Sequence, residues 1–491
     1  MMSRQSPQQY KFFLTGFTLE KRIRAEHILR KISAKIDFDF IYAEVKETYG
    51  ANGNVSIPPP IILKMLLLLV LYNVRSEREL METIPERMDW MWFLGLDLDD
   101  EIPDHSVLSK ARARWGIEAF RRFFQRVVRQ CVEEGLVDGS KLFVDASLIQ
   151  ADASNNSVVD REKLQRQLDR GYERLEERLD EVKQAKAAPA NVRFLSATDP
   201  DASVIRHGAG KPKLRYKTHR GVDPKREVIT ATMVTPGATD ESAVLEKVVA
   251  THEQNTERKV ETVVADSRYG TIENYLMCHD AGIQAHIPSL EKSQRGTGRR
   301  EDIFPKDAFR YDRKGDIFIC PAGRRLRRRH FYRDRNHFEY LASSGVCSHC
   351  RLKPKCTRSK IGRTLKRHAR QEELDWQLKR SRSPVAQKDL QTRQHLSERS
   401  FARSVRYGYK RARWRRCWRM QIQDFLIAAI QNIMVLIRHS LSTLKNKKWR
   451  RVRPEFLGFL ITKVLSDLAH LFLLTSMAMF TDYFGQQAAY P

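Results

Sequence analysis

The feature that most limits how this chain can fold is a change in the spacing of its apolar residues near residue 140. Before that point they recur every three or four positions, the period of a helix with one buried face; one such stripe comprises Phe120, Phe123, Phe124, Val127, Val128 and Cys131. Afterwards, apolar runs typical of strands occur at 141–150, 214–222, 226–234, 260–266 and 284–288, with helical patterns at 240–251 and 272–281. This order predicts an α/β domain, a mixed sheet with flanking helices, preceded by an all-α segment.

The same patterns divide the chain into five segments. Residues 1–138 form a helical domain suited to DNA binding, although a plain helical scaffold fits the pattern nearly as well. Residues 139–289 form the first part of the α/β domain, with an inserted charged helix at about 156–187 and a linker at 188–211. Then come a basic, cysteine-containing insertion at 290–394 and a return to the α/β domain at 395–445, in which residues 397–441 are predicted as one long helix or two. An unassigned tail at 446–491 follows.

Three acidic residues occupy positions where a carboxylate is unusual. Asp145 lies inside an apolar strand pattern, Asp266 ends another, and Glu398 stands alone among the arginines of a basic helical segment. A carboxylate at the end of a buried strand is costly unless a cation meets it. If the three converge, a pair of divalent metal ions and metal-assisted phosphodiester chemistry are the simplest explanation. The ordinary alternatives are a water-facing strand end for Asp145, a helix cap for Asp266 and an ion pair for Glu398.

Positive charge is concentrated in one part of the chain. The 491 residues include 88 Lys and Arg against 60 Asp and Glu, a net charge of +28. Residues 291–420 hold 38 basic and 13 acidic residues, so this segment alone carries +25. An evenly spread excess would serve solubility, whereas a localised one indicates a polyanionic partner. Nucleic acid is therefore the partner we expect.

The sequence favours a cytoplasmic protein without a membrane partner. Seven cysteines in a chain of this length do not resemble a secreted disulfide framework, and the N-terminus lacks a signal-peptide pattern. The apolar run 61–72 is too short to span a bilayer. Polar residues interrupt the apolar stretch 456–484, which we expect to be an amphipathic or packed helix.

Four cysteines in the basic insertion raise a separate question. Cys347 and Cys350 form a Cys-x-x-Cys pair, and Cys320 and Cys356 could complete a set of four thiolates. Four thiolates are a usual ligand set for tetrahedral structural zinc in a reducing compartment. The spacing is irregular, so reduced thiols without a metal fit the sequence equally well.

Several short motifs occur in an order that resembles a known family. They are 74–80 (VRSEREL), 92–96 (WFLGL), 103–106 (PDHS), 143–147 (FVDAS), 216–223 (YKTHRGVD), 235–240 (TPGATD), 264–270 (VADSRYG) and 398–402 (ERSFA). The chain resembles DDE-type transposases of bacterial insertion sequences, whose catalytic domain has an RNase H-like fold. The resemblance covers roughly residues 10–440 and depends on the order of the motifs, since each one is short.

The resemblance implies a catalytic triad of Asp145, Asp266 and Glu398 that holds two Mg²⁺ ions, with Mn²⁺ as a substitute. It further implies binding to double-stranded DNA, at the terminal inverted repeats of the element and at the target, followed by cleavage and strand transfer. We expect a homodimer in the synaptic complex and a nucleoid-associated location in the cytoplasm. Two alternatives are a metal-dependent nuclease without strand transfer and a catalytically inactive DNA-binding repressor.

Overall fold

The computed structural model describes residues 2–4, 18–50, 55–162, 191, 194–206, 208–289, 303–343 and 345–440. The chain divides into two units, Met1–Ile433 and Met434–Pro491. The second is described only over residues 434–440, which are helical. The predicted tail at 446–491 and most of the predicted charged helix at 156–187 lie outside the described residues.

The chain begins with helices, as the apolar spacing predicts. The described ones are α1 (Leu19–Arg22), α2 (Ile28–Lys35), α3 (Phe40–Val45), α4 (Pro59–Leu71), α5 (Glu77–Thr83), α6 (Met88–Leu94), α7 (Ser106–Trp115) and α8 (Glu118–Glu133). Pro59 and Pro60 lie in the first turn of α4, where a missing backbone N–H costs little. Asp104 accepts a hydrogen bond from the backbone N–H of Ser106 at 2.8 Å at the start of α7. The predicted stripe on α8 is buried in full and is thereby confirmed.

A mixed six-stranded sheet, which we call the large sheet, follows. The first eight strands of the chain are β1 (Lys141–Gln150), β2 (Val158–Asp160), β3 (Phe194–Ser196), β4 (Ser203–Ile205), β5 (Lys213–Asp223), β6 (Val228–Pro236), β7 (Thr262–Val264) and β8 (Gln284–His286). The large sheet runs in the order β6–β5–β1–β7–β8, and β4 pairs with the first residues of β5. β5 is antiparallel to β1 and β6, whereas β7 is parallel to β1 and β8. The predicted α/β class with a mixed sheet is confirmed.

Three local predictions differ from the structure. The stretch 188–211, predicted as a linker, contains β3 and β4. The side-chain amide of Asn191 donates to the backbone carbonyl of Val204 in β4 and accepts from its N–H, as the backbone of a neighbouring strand would. β2, near the start of the stretch predicted as a charged helix, pairs instead with β3. The helix predicted at 240–251 begins later, at Leu245, because the side chain of Asp240 accepts the N–H of Ser242 and favours a turn there.

Helices cover both faces of the large sheet. They are α9 (Leu245–Thr256), α10 (Ile272–Asp280), α11 (Gln371–Arg380), α12 (Pro384–Val405) and α13 (Cys417–Ser440). Leu142 and Val144 of β1 belong to a core of sixteen buried residues that includes residues of α9, α10 and α11. Because side chains alternate along a strand, Phe143 points to the opposite face, where it packs with Leu396 of α12. Asp145 shares that face with Phe143.

Buried polar contacts fix α12 and the first half of α13 on the large sheet. The two helices correspond to the stretch 397–441 that was predicted as one helix or two, although α12 begins earlier, at Pro384. Arg220 of β5 is 1% exposed and forms an ion pair with Asp424 of α13, with Nη2 and Oδ1 3.0 Å apart. The same guanidinium donates hydrogen bonds to Ser400 and Ser404 of α12. A buried charge that lost these partners would be costly, so the network holds both helices in place.

A second, antiparallel sheet, which we call the small sheet, lies within the basic insertion. Its strands are β9 (Arg310–Asp312), β10 (Ile317–Ile319), β11 (Arg325–Tyr332), β12 (His337–Ala342) and β13 (Thr364–His368), in the spatial order β13–β12–β11–β10–β9. Its core consists of six buried residues, Phe309, Phe318, Leu326, Tyr340, Ala342 and Leu365. β11 is almost wholly exposed, with only Leu326 buried.

One described helix, α13, is long and apolar enough to cross a membrane by length and composition. However, 94% of its most apolar window is buried inside the protein, as in the core helix of a soluble protein. The shorter apolar helix α4 is likewise buried along almost its whole length. The apolar stretch 456–484 lies outside the described residues.

Candidate active site

The pairing of β1 with β7 brings Asp145 and Asp266 side by side. In this parallel pair Phe143 lies opposite Val264, and each aspartate follows two residues later. The two carboxylates therefore reach the same level where β7 ends. Carboxyl ends of strands are where open α/β sheets bind ligands, because the chain leaves the sheet there and opens a crevice.

Asp145 is a largely buried carboxylate that contacts α12. Its Oδ2 lies 3.0 Å from Nη1 of Arg393, with side-chain exposures of 23% and 16% respectively. It accepts a hydrogen bond from the backbone N–H of Ala146 at 2.9 Å and another from Ser397. Burial raises the pKa of Asp145; Arg393 opposes that rise, and the charge of Asp266 adds to it.

Asp266 both caps a turn and faces the other acids. Its Oδ1 accepts the backbone N–H of Arg268 at 2.9 Å, at the start of a short 3-10 helix. The predicted capping alternative is thus observed, and it coexists with a place beside Asp145. Burial raises the pKa of Asp266; the bond from Arg268 lowers it, and the charge of Glu241 raises it further.

Glu241 is an acidic residue at this site that the sequence did not single out. It is 5% exposed and lies directly after the motif 235–240, in the turn between β6 and α9. Its Oε1 is 3.2 Å from Nζ of Lys217 and 2.8 Å from Nη1 of Arg268. A buried carboxylate with two cations is a satisfied structural group as well as part of the local field. Its position next to a family motif is the signal that could have identified it.

Glu398 lies on the exposed side of α12. Its Oε1 accepts a hydrogen bond from Nε2 of Gln394 at 3.2 Å, one helical turn earlier. Its chain neighbour Ser397 faces the sheet and contacts Asp145. The structure thus brings Asp145 and Asp266 together and places Glu398 on the adjoining helix, pointing elsewhere.

The donor set at the two aspartates is suited to a hard divalent cation but is incomplete. Carboxylate oxygens are the ligands that Mg²⁺ prefers. Burial raises the pKa of Asp145 and of Asp266, and a bound cation would oppose that rise. Arg393 is the cation that contacts Asp145 in the structure. Among the described residues, no three His, Cys, Asp or Glu side chains lie in positions that could hold a metal ion. A metal site here would need a further ligand besides Asp145 and Asp266.

The four cysteines of the insertion surround one small cavity beside the small sheet. Cys320, Cys347, Cys350 and Cys356 all line it, and its volume is about 20 Å³. All seven cysteines of the chain are free. Burial raises the pKa of the Cys356 thiol, and the other three sulfurs of this group raise it further.

Exposed arginines line the small sheet. On β11, Arg325, Arg327 and Arg329 are exposed, and so is Arg328, which forms an ion pair with Asp316. The aromatic residues of the basic helical segment differ from this pattern, since Tyr407 and Tyr409 are buried and pack in the core. The exposed arginines of β11 form a surface suited to a phosphate backbone, because guanidinium groups match phosphate geometry.

Two families of known proteins match the chain. The family described as a transposase domain (DUF772) matches residues 17–114, and the one described as a transposase DDE domain matches residues 319–437, which include Glu398. Among solved structures, the chain is similar to a piggyBac transposase synaptic complex with hairpin DNA, at 10% identity and a TM-score of 0.35, over 84% of this chain and 74% of that one. A similarity this weak supports no argument about the fold. No protein of curated function matches the chain.

Proposed function

We propose that the chain is a DDE-type transposase, as the two family matches indicate, and that it binds the terminal inverted repeats of an insertion sequence, cleaves DNA there and joins the ends to a target. The observation that carries this proposal is the placement of Asp145 and Asp266 at one level of two adjacent parallel strands. Glu398 is the third acid in our proposal, on the strength of its motif and its place on α12.

We infer an RNase H-like fold for the large sheet. The support is its strand order: β6, β5 and β1 form an antiparallel series, and β7 and β8 continue it in parallel with β1. Helices on both faces agree with this assignment. In such a sheet the central strand β1 and its parallel neighbour β7 supply the first two acids.

The residues of the chain would act by holding and orienting charge. When bound, a pair of Mg²⁺ ions, or Mn²⁺ in their place, would activate a water or a DNA 3′-hydroxyl for in-line attack on phosphorus and stabilise the leaving oxygen. Asp145 and Asp266 would hold the cations, and the N–H of Ala146 orients the first carboxylate. Arg268, which Glu241 holds and which is 67% exposed, faces solvent where a DNA phosphate would lie.

Glu398 reaches the aspartates only if α12 changes its rotation. Successive residues of an α-helix are about 100° apart around its axis. Glu398 follows Ser397, which contacts Asp145, so a local turn of that size would exchange the two side chains at the site. This turn would also have to break the bonds that Arg220 donates to Ser400 and Ser404 and the packing of Leu396. The Arg393–Asp145 ion pair would have to open at the same time. Binding of cations and DNA would provide the energy, since a cation replaces the charge that Arg393 supplies.

We propose double-stranded DNA as the partner, bound along the basic insertion, and a homodimer as the form that pairs two element ends. The concentration of positive charge in residues 291–420 supports the first. A nucleoid-associated protein in the cytoplasm follows from DNA as substrate.

The test uses labelled element ends, with Mg²⁺ or Mn²⁺, and scores both cleaved and joined products. We expect the purified chain to give both, and Asp145→Asn to give neither while it still binds the ends. Asp152→Asn is the matched control, because Asp152 follows the same strand and pairs with the exposed Arg411 away from the site. Full cleavage by Asp145→Asn would overturn the metal-dependent mechanism.

The same assay separates the two alternatives. Cleavage without joining would favour a metal-dependent nuclease on the same site. Specific binding to the ends without either reaction would favour a DNA-binding repressor. Asp145 and Asp266 favour an active enzyme over the repressor. Burial raises the pKa of both acids, and carboxyl groups with shifted pKa values that lie close together are typical of catalytic sites, whereas DNA binding alone does not require them.

A further inference from the structure

The small sheet carries a group of four thiols that the proposed DNA chemistry does not use. Cys320 follows β10, and the other three lie in the loop between β12 and β13. These segments are far apart in sequence, yet their four cysteines line one cavity of about 20 Å³. A cavity of that size has room for a single ion.

The backbone around two of these sulfurs is shaped for thiolates. The N–H of Arg324 points at Sγ of Cys320 at a distance of 3.3 Å, across a turn closed by Gly323 with φ +73°. Such N–H groups stabilise a negatively charged sulfur. Near Cys347 the chain passes so closely that a Cβ at Gly362 would lie 3.0 Å from its Sγ. The glycine at that position leaves the sulfur its space.

The small sheet also lacks the core that would make it stable by itself. Only six residues form its buried cluster, and three of the cysteines pack against that cluster. Sheets with so little buried area usually depend on a metal ion or on disulfides. The four thiols are free, and they lie where the cluster ends.

We propose that Cys320, Cys347, Cys350 and Cys356 bind one structural Zn²⁺ ion, which ties the β10–β11 turn to the loop between β12 and β13. Tetrahedral coordination by four thiolates is the usual arrangement of structural zinc. As the described residues stand, their side chains form no ready metal-binding group. Binding would therefore draw the four sulfurs inward around the cavity, and the fold of the small sheet would be coupled to zinc. His349 is exposed and is not a ligand in this arrangement.

The first experiment uses the full chain, purified under reducing conditions with zinc in the growth medium. We expect one zinc per chain by elemental analysis. Replacement by Co²⁺ should give the intense thiolate-to-cobalt absorption that carboxylate ligands do not produce. This band separates the cysteine site from any cobalt held by Asp145 and Asp266. A chain that purifies without zinc and gives no thiolate–cobalt band would overturn the proposal.

Variants locate the ligands. Cys347→Ser and Cys356→Ser should each lose the zinc and the cobalt band, whereas Cys417→Ser, a partly buried cysteine outside the insertion, should keep both. Retention of zinc by the first two would overturn the assignment. Because those variants can fail to fold, the unmodified chain is also treated with a chelator. We expect four additional thiols to react with a thiol reagent, and proteolysis within residues 303–370 to accelerate, both reversed by zinc. No change on chelation would contradict the proposal.

Discussion

The large sheet is covered by helices on both faces and keeps several charged groups inside, whereas the small sheet has a thin core and turns its charges outward. Arg220 and Asp424 are almost fully buried and paired in the large sheet. The exposed strand β11 of the small sheet buries one residue, Leu326. A cluster of sixteen buried residues lies beside the first sheet, and six form the core of the second.

The difference in packing suits the two sheets to different roles. A rigid surrounding can hold two repelling carboxylates close together, because its packing offsets the cost of keeping them there. A thinly packed sheet with outward arginines can approach a nucleic-acid backbone with little loss of its own stability. We therefore propose that the large sheet carries the chemistry and that the small sheet contacts the DNA backbone.

The largest effect should come from the third acid. Glu398→Gln is expected to lower DNA cleavage roughly 10³-fold, because a two-metal site that loses a carboxylate ligand loses its charge balance. The measurement is the rate of strand cleavage at saturating Mg²⁺.

The comparison variant is Glu241→Gln, which removes a buried acid that already has two cations. It should keep cleavage within about tenfold and lower the free energy of unfolding by about 2 kcal/mol. The reverse ranking would make Glu241 the third acid.

Loss of a buried ion pair should distinguish the sheets by stability. Asp424→Ala leaves the Arg220 guanidinium buried without its carboxylate and should lower the free energy of unfolding by about 3–5 kcal/mol. Arg313→Ala breaks an exposed pair with Glu372 at the small sheet and should cost less than about 1 kcal/mol. Denaturant unfolding monitored by fluorescence measures both. Equal losses would show that the two sheets do not differ in the way described.

The exposed arginines of β11 should act on affinity and not on chemistry. Replacing Arg325, Arg327 and Arg329 together by Ala is expected to weaken DNA binding about 30-fold at moderate salt and to flatten the salt dependence, with a change in log–log slope of about 3. Titration of labelled element ends at several salt concentrations measures both quantities. Cleavage at saturating DNA should be unchanged. An unchanged salt slope together with slow cleavage would place β11 in the catalytic machinery instead.

Sequence reasoning reached the architecture more readily than the site. The α/β class and the stripe on α8 follow from apolar spacing, which survives in any sequence that must cover a core. The strands β3 and β4 were missed because each is three residues long. β4 also depends on side-chain bonds from Asn191 to Val204. Asp145 and Asp266 could be singled out because an acid beside a buried strand is rare.

Two features of the site could not be predicted from the sequence patterns: the contacts of Glu241 and the face that α12 turns towards the sheet. Glu241 was missed because its partners Lys217 and Arg268 come from other parts of the chain, and no local spacing shows that they meet. Likewise, the rotation of α12 that turns Ser397 inward and Glu398 outward depends on packing by Leu396 and on bonds to Ser400. Such tertiary contacts decide the face of a helix when its own apolar stripe is weak.

The smallest expected effect tests whether Arg393 competes with cations for Asp145. Arg393→Gln removes the charge that contacts this carboxylate at 3.0 Å. If Arg393 must leave before a metal binds, the Mg²⁺ concentration for half-maximal cleavage should fall a few-fold, because about 1 kcal/mol of competing interaction is removed. The maximal rate should change little. Arg399→Gln is the control, because Arg399 lies on the same helix as Arg393 and forms an ion pair with Glu227 in the turn between β5 and β6. A higher Mg²⁺ requirement would show instead that Arg393 holds Asp145 in the orientation that the metal needs. In that case α12 would support metal binding in the position that the structure shows, without moving.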